Sequence, residues 1–135
     1  MLIDSNILIY ALNSRSPKNE AAQAFIQSQK VLVLAQQNLV ETLRILTHSK
    51  FPQPVNPGEA IVSLKLITKH ALIIGPNFDT VSLTYDLIKK YDVQGTEIFD
   101  AYLVATAISN GITKIATHNE KHLKKYREVN VINPF

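Results

Sequence analysis

Short apolar runs alternate with longer stretches of helical periodicity along this chain. Residues 1–3, 31–34, 71–74, 114–116 and 129–132 form such runs, almost wholly apolar and three or four residues long. A strand that is apolar on both faces is buried between layers, as in parallel sheets covered by helices on each side. Between the runs, periodicity predicts helices over 7–12 (capped by Asp4 or Ser5), 18–29 (Ser16 at the cap, Pro17 at the first helical position), 37–49, and 56 to about 70. Further helices are predicted over 80–91, 99–110 (closed by Gly111) and 119–126. Their inner faces are expected to carry Ala22, Phe25 and Ile26, then Leu39, Val40, Leu43 and Leu46/Thr47, then Leu83, Leu87 and Ile88. Alternation of this kind predicts an α/β fold, a three-layer α/β/α sandwich with a mainly parallel central sheet. The Pro-rich stretch 51–58 is the one strong break; a helical pattern resumes straight after it, so it reads as a loop within a single domain spanning 1–135.

Composition narrows the chemistry. With no cysteine, disulfides, thiolate metal sites and cysteine nucleophiles are excluded. No apolar run approaches the roughly 20 residues of a membrane span, so no membrane partner is expected. The opening MLIDSN lacks a basic segment followed by an apolar one, which points to a cytoplasmic protein. The net charge of +3 leans only weakly toward anionic partners.

The placement of the acids says more. In open α/β sheets the ligand crevice lies outside the carboxyl ends of the strands. Asp4 follows the first strand directly and projects there, although Asp is also a common helix cap. Glu41 lies early in an apolar helix, about a turn past the end of the second strand; dipole stabilisation or an ion pair with Arg44 would also account for it. Asp100 opens an almost uncharged helix, and Glu97 shares its face if that helix begins there. Asn119 follows the fourth strand much as Asp4 follows the first, with Thr117 beside it; either could be a simple cap. Several acids at one sheet edge repel and raise one another's pKa values, an arrangement that a hard divalent cation such as Mg²⁺ or Mn²⁺ neutralises. His118 and His122 are spaced i, i+4 but sit in a Lys-rich surface helix without a third ligand, so zinc is disfavoured. If Asp4, Glu41, Glu97 and Asp100 face one cleft, four of the 11 acids are accounted for, and the remaining seven stand against 14 Lys and Arg. An acidic, metal-holding pit ringed by positive surface suits a polyphosphate substrate.

The segments Ile3-Asp4-Ser5-Asn6-Ile7-Leu8, Asn38-Leu39-Val40-Glu41, Phe99-Asp100-Ala101-Tyr102-Leu103-Val104-Ala105 and Ile115-Ala116-Thr117-His118-Asn119, in this order, resemble the PIN domain family. The closest likeness is to the VapC-like toxins of bacterial toxin–antitoxin pairs. The resemblance spans essentially the whole chain. It implies a Mg²⁺- or Mn²⁺-dependent ribonuclease, an RNA substrate, a cognate small antitoxin protein and a homodimer. Asp4, Glu41 and Asp100 match the family's three core carboxylates, Asn119 matches a position held by Asp or Asn, and Glu97 is an auxiliary acid. On that reading Asp4, Asp100, Glu41 and Glu97 form the metal site, with Asp4 and Asp100 binding the first ion; Glu41 also orients or deprotonates the attacking water, and Glu97 and Asn119 give supporting contacts. Ser5, Asn6 and Thr117 hydrogen-bond the carboxylates or the substrate. Many relatives carry an aromatic residue before the Asn/Asp and Asp-Phe three or four residues after it; here those places hold His118, His122 and Leu123, which puts a second ion in doubt. Two other readings compete: a PIN-like RNA- or antitoxin-binding module with weak or no activity, and a phospho-acceptor signalling domain. The latter needs paired acids after the first strand, where only Asp4 stands.

Overall fold

The computed structural model describes all 135 residues. In chain order the elements are β1 (Leu2–Ile3), α1 (Ser5–Leu12), α2 (Asn19–Ser28), β2 (Val33–Ala35), α3 (Gln36–Leu46), α4 (Pro57–Ile67) and β3 (Leu72–Ile74). They continue with α5 (Thr80–Tyr91), a single 3₁₀ turn over Gly95–Glu97, α6 (Ile98–Ser109), β4 (Lys114–Ala116), α7 (Glu120–Leu123) and β5 (Asn130–Ile132). The five strands form one sheet in the order β3-β2-β1-β4-β5, and every pairing is parallel. The first strand is central, so the chain builds outward in one direction to β3, then crosses back to build the other half. That reversal puts the topological switch point between β1 and β4, where crevices in such sheets open.

Strand residues alternate between two cores. Ile3, Leu34 and Ala116 pack on one face with Ile7, Leu8, Ala22, Ile26 and Leu64 from the first four helices. Leu2, Val33, Ala35 and Ile115 face the opposite way, against Leu87 of α5, Leu103 and Val104 of α6, and Leu123 and Tyr126 around α7. Parallel strands need helical crossovers, and right-handed crossovers place those running one way on one face and those running back on the other. The expected α/β/α sandwich is what forms. No helix is long and apolar enough to cross a membrane.

Several boundaries differ from the sequence expectation, each for a local reason. The second strand runs from Val33 to Ala35, not over 31–34; Val31 is 58% exposed and precedes the sheet. Ser16 does not cap α2: its hydroxyl accepts from Lys18 N at 3.2 Å in a separate turn, and the helix begins at Asn19. Asn56 does cap α4, accepting from Gly58 N at 2.9 Å. α3 ends at Leu46, not 49, and Val40, expected inside, is 67% exposed. Polar Asn38 and Thr42 occupy the inner stripe instead, both fully buried. α7 is one turn long, not eight residues.

Candidate active site

The carboxyl ends of β1, β2 and β4 lie side by side, and each delivers polar residues to the same rim of the sheet. Asp4 leaves β1 while its own N–H still donates to Ala116 O of β4, at 2.9 Å. The side chain caps α1 and is held from several directions. Oδ1 accepts from Ser5 N (2.7 Å), Ser5 Oγ (3.3 Å) and Asn38 Nδ2 (3.4 Å). Oδ2 accepts from Asn6 Nδ2 and Thr117 Oγ1, both at 2.7 Å. Of the two roles foreseen for Asp4, the cap of α1 is therefore realised, by a side chain that stands at the carboxyl edge of the sheet. Burial pushes its carboxyl pKa up, against the opposing pull of the Thr117 and Ser5 hydrogen bonds, and the Glu41 charge adds to the rise.

Thr117, fully buried just past β4, links the two central strands. It donates to Asp4 and accepts from Asn6 Nδ2 (2.8 Å) and Asn119 N (2.9 Å), while Asn6 Oδ1 takes the N–H of His118 at 3.0 Å. Asn119 itself is exposed; it precedes α7 but its side chain makes no capping bond. Ser5 and Asn6 thus serve the carboxylates as expected.

From β2 the chain turns directly into α3, which supplies three polar side chains in succession. Asn38 accepts from Ala35 N at 3.0 Å and donates to Asp4, so it fixes the helix start to the first strand's end. Glu41 accepts from Ser5 Oγ (3.0 Å) and Gln37 Nε2 (2.9 Å). Gln37 also donates to Phe99 O at 3.0 Å, spanning from one helical layer to the other above the sheet. The alternative of a Glu41–Arg44 ion pair is not realised: Arg44 forms no salt bridge.

Asp100 lies in the first turn of α6, with Glu97 at the end of the 3₁₀ turn that leads into the helix, one turn earlier, as the spacing allowed. Its pKa is pushed up to about 6, chiefly by burial, with the charges of Asp4, Glu41 and Glu97 adding to the rise and His122 opposing it. The charges of Asp4, Glu41 and Glu97 are thus near enough to act on Asp100. Glu97, however, is engaged by Lys125, whose ammonium holds its carboxyl below the ordinary range. His122 Nδ1 stands 3.6 Å from Asp100 Oδ2 and 3.9 Å from Glu97 Oε1. Lys124 is also paired, with Glu120, so part of the positive surface expected around the pit is neutralised.

The predicted acids therefore gather at one rim, and sequence reasoning missed the groups that surround them. Asn38 was missed because it is polar on an inner stripe otherwise counted by apolar residues. His122 was placed on a surface helix, and the packing of α7 against α6 brings it and Lys125 to Asp100 and Glu97. His118, the other half of the i, i+4 pair, points elsewhere: its ring sits edge-on to Tyr10 and Phe135, with centroids 5.6 and 5.5 Å away.

The donor set is oxygen-only apart from His122, and the carboxyls of Asp4 and Asp100 are pushed up, chiefly by burial, which suits a hard divalent cation. No three His, Asp or Glu side chains lie close enough together to form a ready ligand group. Of the four acids at this rim, Asp4, Glu41 and Asp100 are not committed to a lysine. Next to Glu41 and Asp100 opens a cleft of about 790 Å³ between α3 and α6, also lined by Gln37, Val40, Arg44, Phe99 and Tyr102.

The family model of the PIN domain matches residues 1–129 of the chain. No curated protein matches it in sequence. Several solved structures share its fold. VapBC2 from Rickettsia felis, bound to a DNA fragment from its promoter, superposes with a TM-score of 0.74 at 16% identity, covering 98% of this chain and 96% of that one. VapC20 from Mycobacterium tuberculosis, a toxin that cleaves the sarcin–ricin loop, gives 0.70 at 15% identity, with 96% and 98% covered. A toxin–antitoxin complex from Klebsiella pneumoniae gives 0.70 at 20% identity, with 99% and 97% covered.

Proposed function

This chain belongs to the PIN domain family, and from that premise we propose that it is a divalent-metal-dependent endoribonuclease, the toxin of a toxin–antitoxin pair. The observation that carries the reading is the gathering of Asp4, Glu41 and Asp100 at the carboxyl edge of the sheet, with the Asp100 carboxyl pushed up to about 6 by burial and by its acidic neighbours. A carboxyl so unfavourably placed when ionised is one that a cation relieves. The Mycobacterium tuberculosis neighbour, a toxin that cleaves the sarcin–ricin loop, and the Klebsiella pneumoniae complex of toxin with antitoxin support the same direction.

In this reading Asp4, Glu41 and Asp100 hold Mg²⁺ or Mn²⁺. A bound ion supplies Lewis acidity toward the phosphoryl oxygens and the attacking water. Glu41, fixed by Ser5 and Gln37, orients that water and accepts its proton. Asp4 is kept in place by Thr117, Asn6 and Asn38, so its position does not change when charge develops in the site. The water oxygen bonds to phosphorus as the P–O3′ bond breaks in line, leaving a 5′-phosphate and a 3′-hydroxyl. Asn119, whose amide is exposed, contacts the substrate. Glu97, paired with Lys125, supports Asp100 from outside the ion. The two positive or protonatable groups beside Glu97, Lys125 and His122, support a site for one ion. A single domain over 1–135, a cytoplasmic location, a homodimer and a small antitoxin that reaches the carboxylates complete the proposal.

The test is incubation of total RNA with the purified protein in Mg²⁺ or Mn²⁺, in EDTA, and with the Asp4→Asn and Asp100→Asn variants. Discrete fragments bearing 5′-phosphates that need the ion and vanish in both variants are expected. A 2′,3′-cyclic phosphate product would refute the mechanism. Intact RNA under every condition, from folded protein, would leave the RNA- or antitoxin-binding module as the function.

A further inference from the structure

Next to the Asp4–Thr117 network three partly exposed rings meet, and no step of the hydrolytic scheme uses them. Tyr10 of α1, His118 just past β4 and Phe135 beyond β5 pack edge-to-face in a closed triangle. Their centroids lie 5.6 Å (Tyr10–His118), 5.6 Å (Tyr10–Phe135) and 5.5 Å (His118–Phe135) apart, with interplanar angles of 73°, 83° and 78°. Edge-to-face contact is a favoured geometry for such pairs, and each ring here serves two of them. The Nδ1 of His118 is buried without a hydrogen-bond partner. An imidazole that leaves a buried nitrogen unpaired is placed by its ring contacts and not by its hydrogen bonds.

The triangle grips the turn that leads from β4 to the carboxylate rim. α1 holds His118 twice: Asn6 Oδ1 accepts its backbone N–H at 3.0 Å, and Tyr10, one turn further along the same helix face, meets its ring. β5 holds the same turn as well, since Ile132 O accepts from Thr117 N at 2.9 Å. Beyond β5, Asn133 Oδ1 accepts from Phe135 N at 3.1 Å, a local turn that brings the Phe135 ring to His118. Asn6 in turn donates to Asp4 Oδ2 and Thr117 Oγ1, while Thr117 donates to Asp4 Oδ2 and accepts from Asn119 N. Both donors to Asp4 Oδ2 are thus tied to His118, one as its chain neighbour and one through its backbone.

We propose that Phe135 and Tyr10 are positioning residues for the carboxylate rim. By clasping His118 they fix the 117–119 turn, and through Thr117 and Asn6 they set the orientation of Asp4 and the place of Asn119. The inference rests on the reading of Asp4 as an ion ligand, and adds to it a control exerted from residues 133–135, which carry no group of the proposed chemistry. Removing a partner that orients a metal ligand typically costs about 10- to 100-fold in affinity. The clasp acts one step further out, so its effect is smaller.

Phe135 is 36% exposed and belongs to neither buried core, so Phe135→Ala keeps the fold. Amide hydrogen exchange by NMR on the metal-free full chain reads the turn. Phe135→Ala removes two of the three ring contacts, and the His118 and Asn119 amides should exchange about 5- to 100-fold faster, well beyond any change in the central strands. Calorimetry with Mn²⁺ reads the rim. Phe135→Ala should weaken binding by about 3- to 10-fold; Phe135→Tyr should restore it, and Phe135→Leu, which covers His118 without a ring edge, should not. Ile26→Val, a core change on α2 that lowers Tm, should leave Mn²⁺ affinity unchanged. In cleavage assays Phe135→Ala should need more Mn²⁺ for its half-maximal rate and recover the wild-type rate at saturation. Wild-type Mn²⁺ affinity in Phe135→Ala would overturn the proposal, as would unchanged exchange at His118 and Asn119. Full restoration by Phe135→Leu, or an equal loss in Ile26→Val, would also overturn it by reducing the clasp to general packing. If the wild type binds no Mn²⁺, the ion reading fails by itself. The clasp then stands or falls on the exchange rates and on the Asn6 side-chain amide signals, which report Asp4 in the metal-free protein and should shift in Phe135→Ala.

Discussion

Replacing Asp100 by Asn should make the metal-free protein more stable near neutral pH, although the change removes a residue of the proposed site. The folded protein holds the Asp100 proton up to about pH 6, against 3.8 for an ordinary aspartate. Its ionised form is therefore penalised in the folded state. The sign follows from linkage: the penalty is absent below about pH 3.8, grows as pH rises, and is complete above about 6. Each pH unit between those values is worth about 1.4 kcal/mol, or about 3 kcal/mol in all. The side chain is 33% exposed, so solvent screening takes roughly half of that. Asn keeps the shape but gives up a carboxylate in the first turn of α6, worth about 0.5 kcal/mol to the helix dipole. About 1 kcal/mol remains, or about 4 °C in Tm for a domain of this size. Thermal denaturation in EDTA at pH 7.5 and at pH 4 reads it directly: a gain of about 4 °C is expected at the higher pH and about 1 °C or less at the lower. Saturating Mg²⁺ should reverse the order, since it stabilises only the protein that binds it. A lower Tm for Asp100→Asn at pH 7.5, or an equal gain at both pH values, would show that His122 and the helix dipole outweigh burial, and that the acids do not strain the apo site.

Three further outcomes test other parts of the site. Thr117→Val removes the donor to Asp4 and the acceptor for Asn6 and for the buried turn; it should cost about 2–3 kcal/mol in urea unfolding, and a cost under about 0.5 kcal/mol would mean that water replaces the hydroxyl. Tyr126 is fully buried, its hydroxyl has no partner, and burial together with the Asp100 and Glu97 charges drives its pKa up. Tyr126→Phe should therefore be neutral or stabilising by up to about 1 kcal/mol, and a clear loss of stability would reveal a partner for that oxygen. Lys125→Ala frees Glu97 and should tighten Mn²⁺ binding by calorimetry, by a few-fold at most for so exposed a pair; weaker binding would show that Lys125 organises the acids instead of competing with the ion.

Much of the site was legible because its acids are anomalies. Asp4 ends the first apolar run, and Glu41 and Asp100 interrupt helices that are otherwise nearly uncharged. Strand order explains why they meet: the ends of β1 and β2 are adjacent in the sheet, and α6 begins above them. What escaped the sequence is of two kinds. Asn38 and Thr42 are buried although polar, because Asn38 serves Ala35 N and Asp4, and Thr42 bonds Asn38 O at 2.7 Å. A periodicity built on apolar residues gives such positions to the surface, and it gives the core to Val40, which instead lines the cleft. The second kind is contact between distant segments. His122 and Lys125 meet Asp100 and Glu97 only because α7 packs on α6, and no local spacing encodes that. The shift of the second strand from 31–34 to Val33–Ala35 has a simpler origin: a run of consecutive apolar residues carries no phase to mark where pairing starts.

The single-turn length of α7 bears on how such a site can diversify. Asp4 and Thr117 emerge from central strands, so a change at either disturbs the middle of the sheet. His122 and Lys125 hang on an element of only four residues and its trailing turn, both partly exposed. Against the sequence pattern that this chain resembles, the departures at His118 and His122 fall in or beside that same short segment. Substitution is cheapest where the fold asks least of a residue, so the charge and reach of the site can be changed along α7 at less cost to the fold than at Asp4 or Thr117.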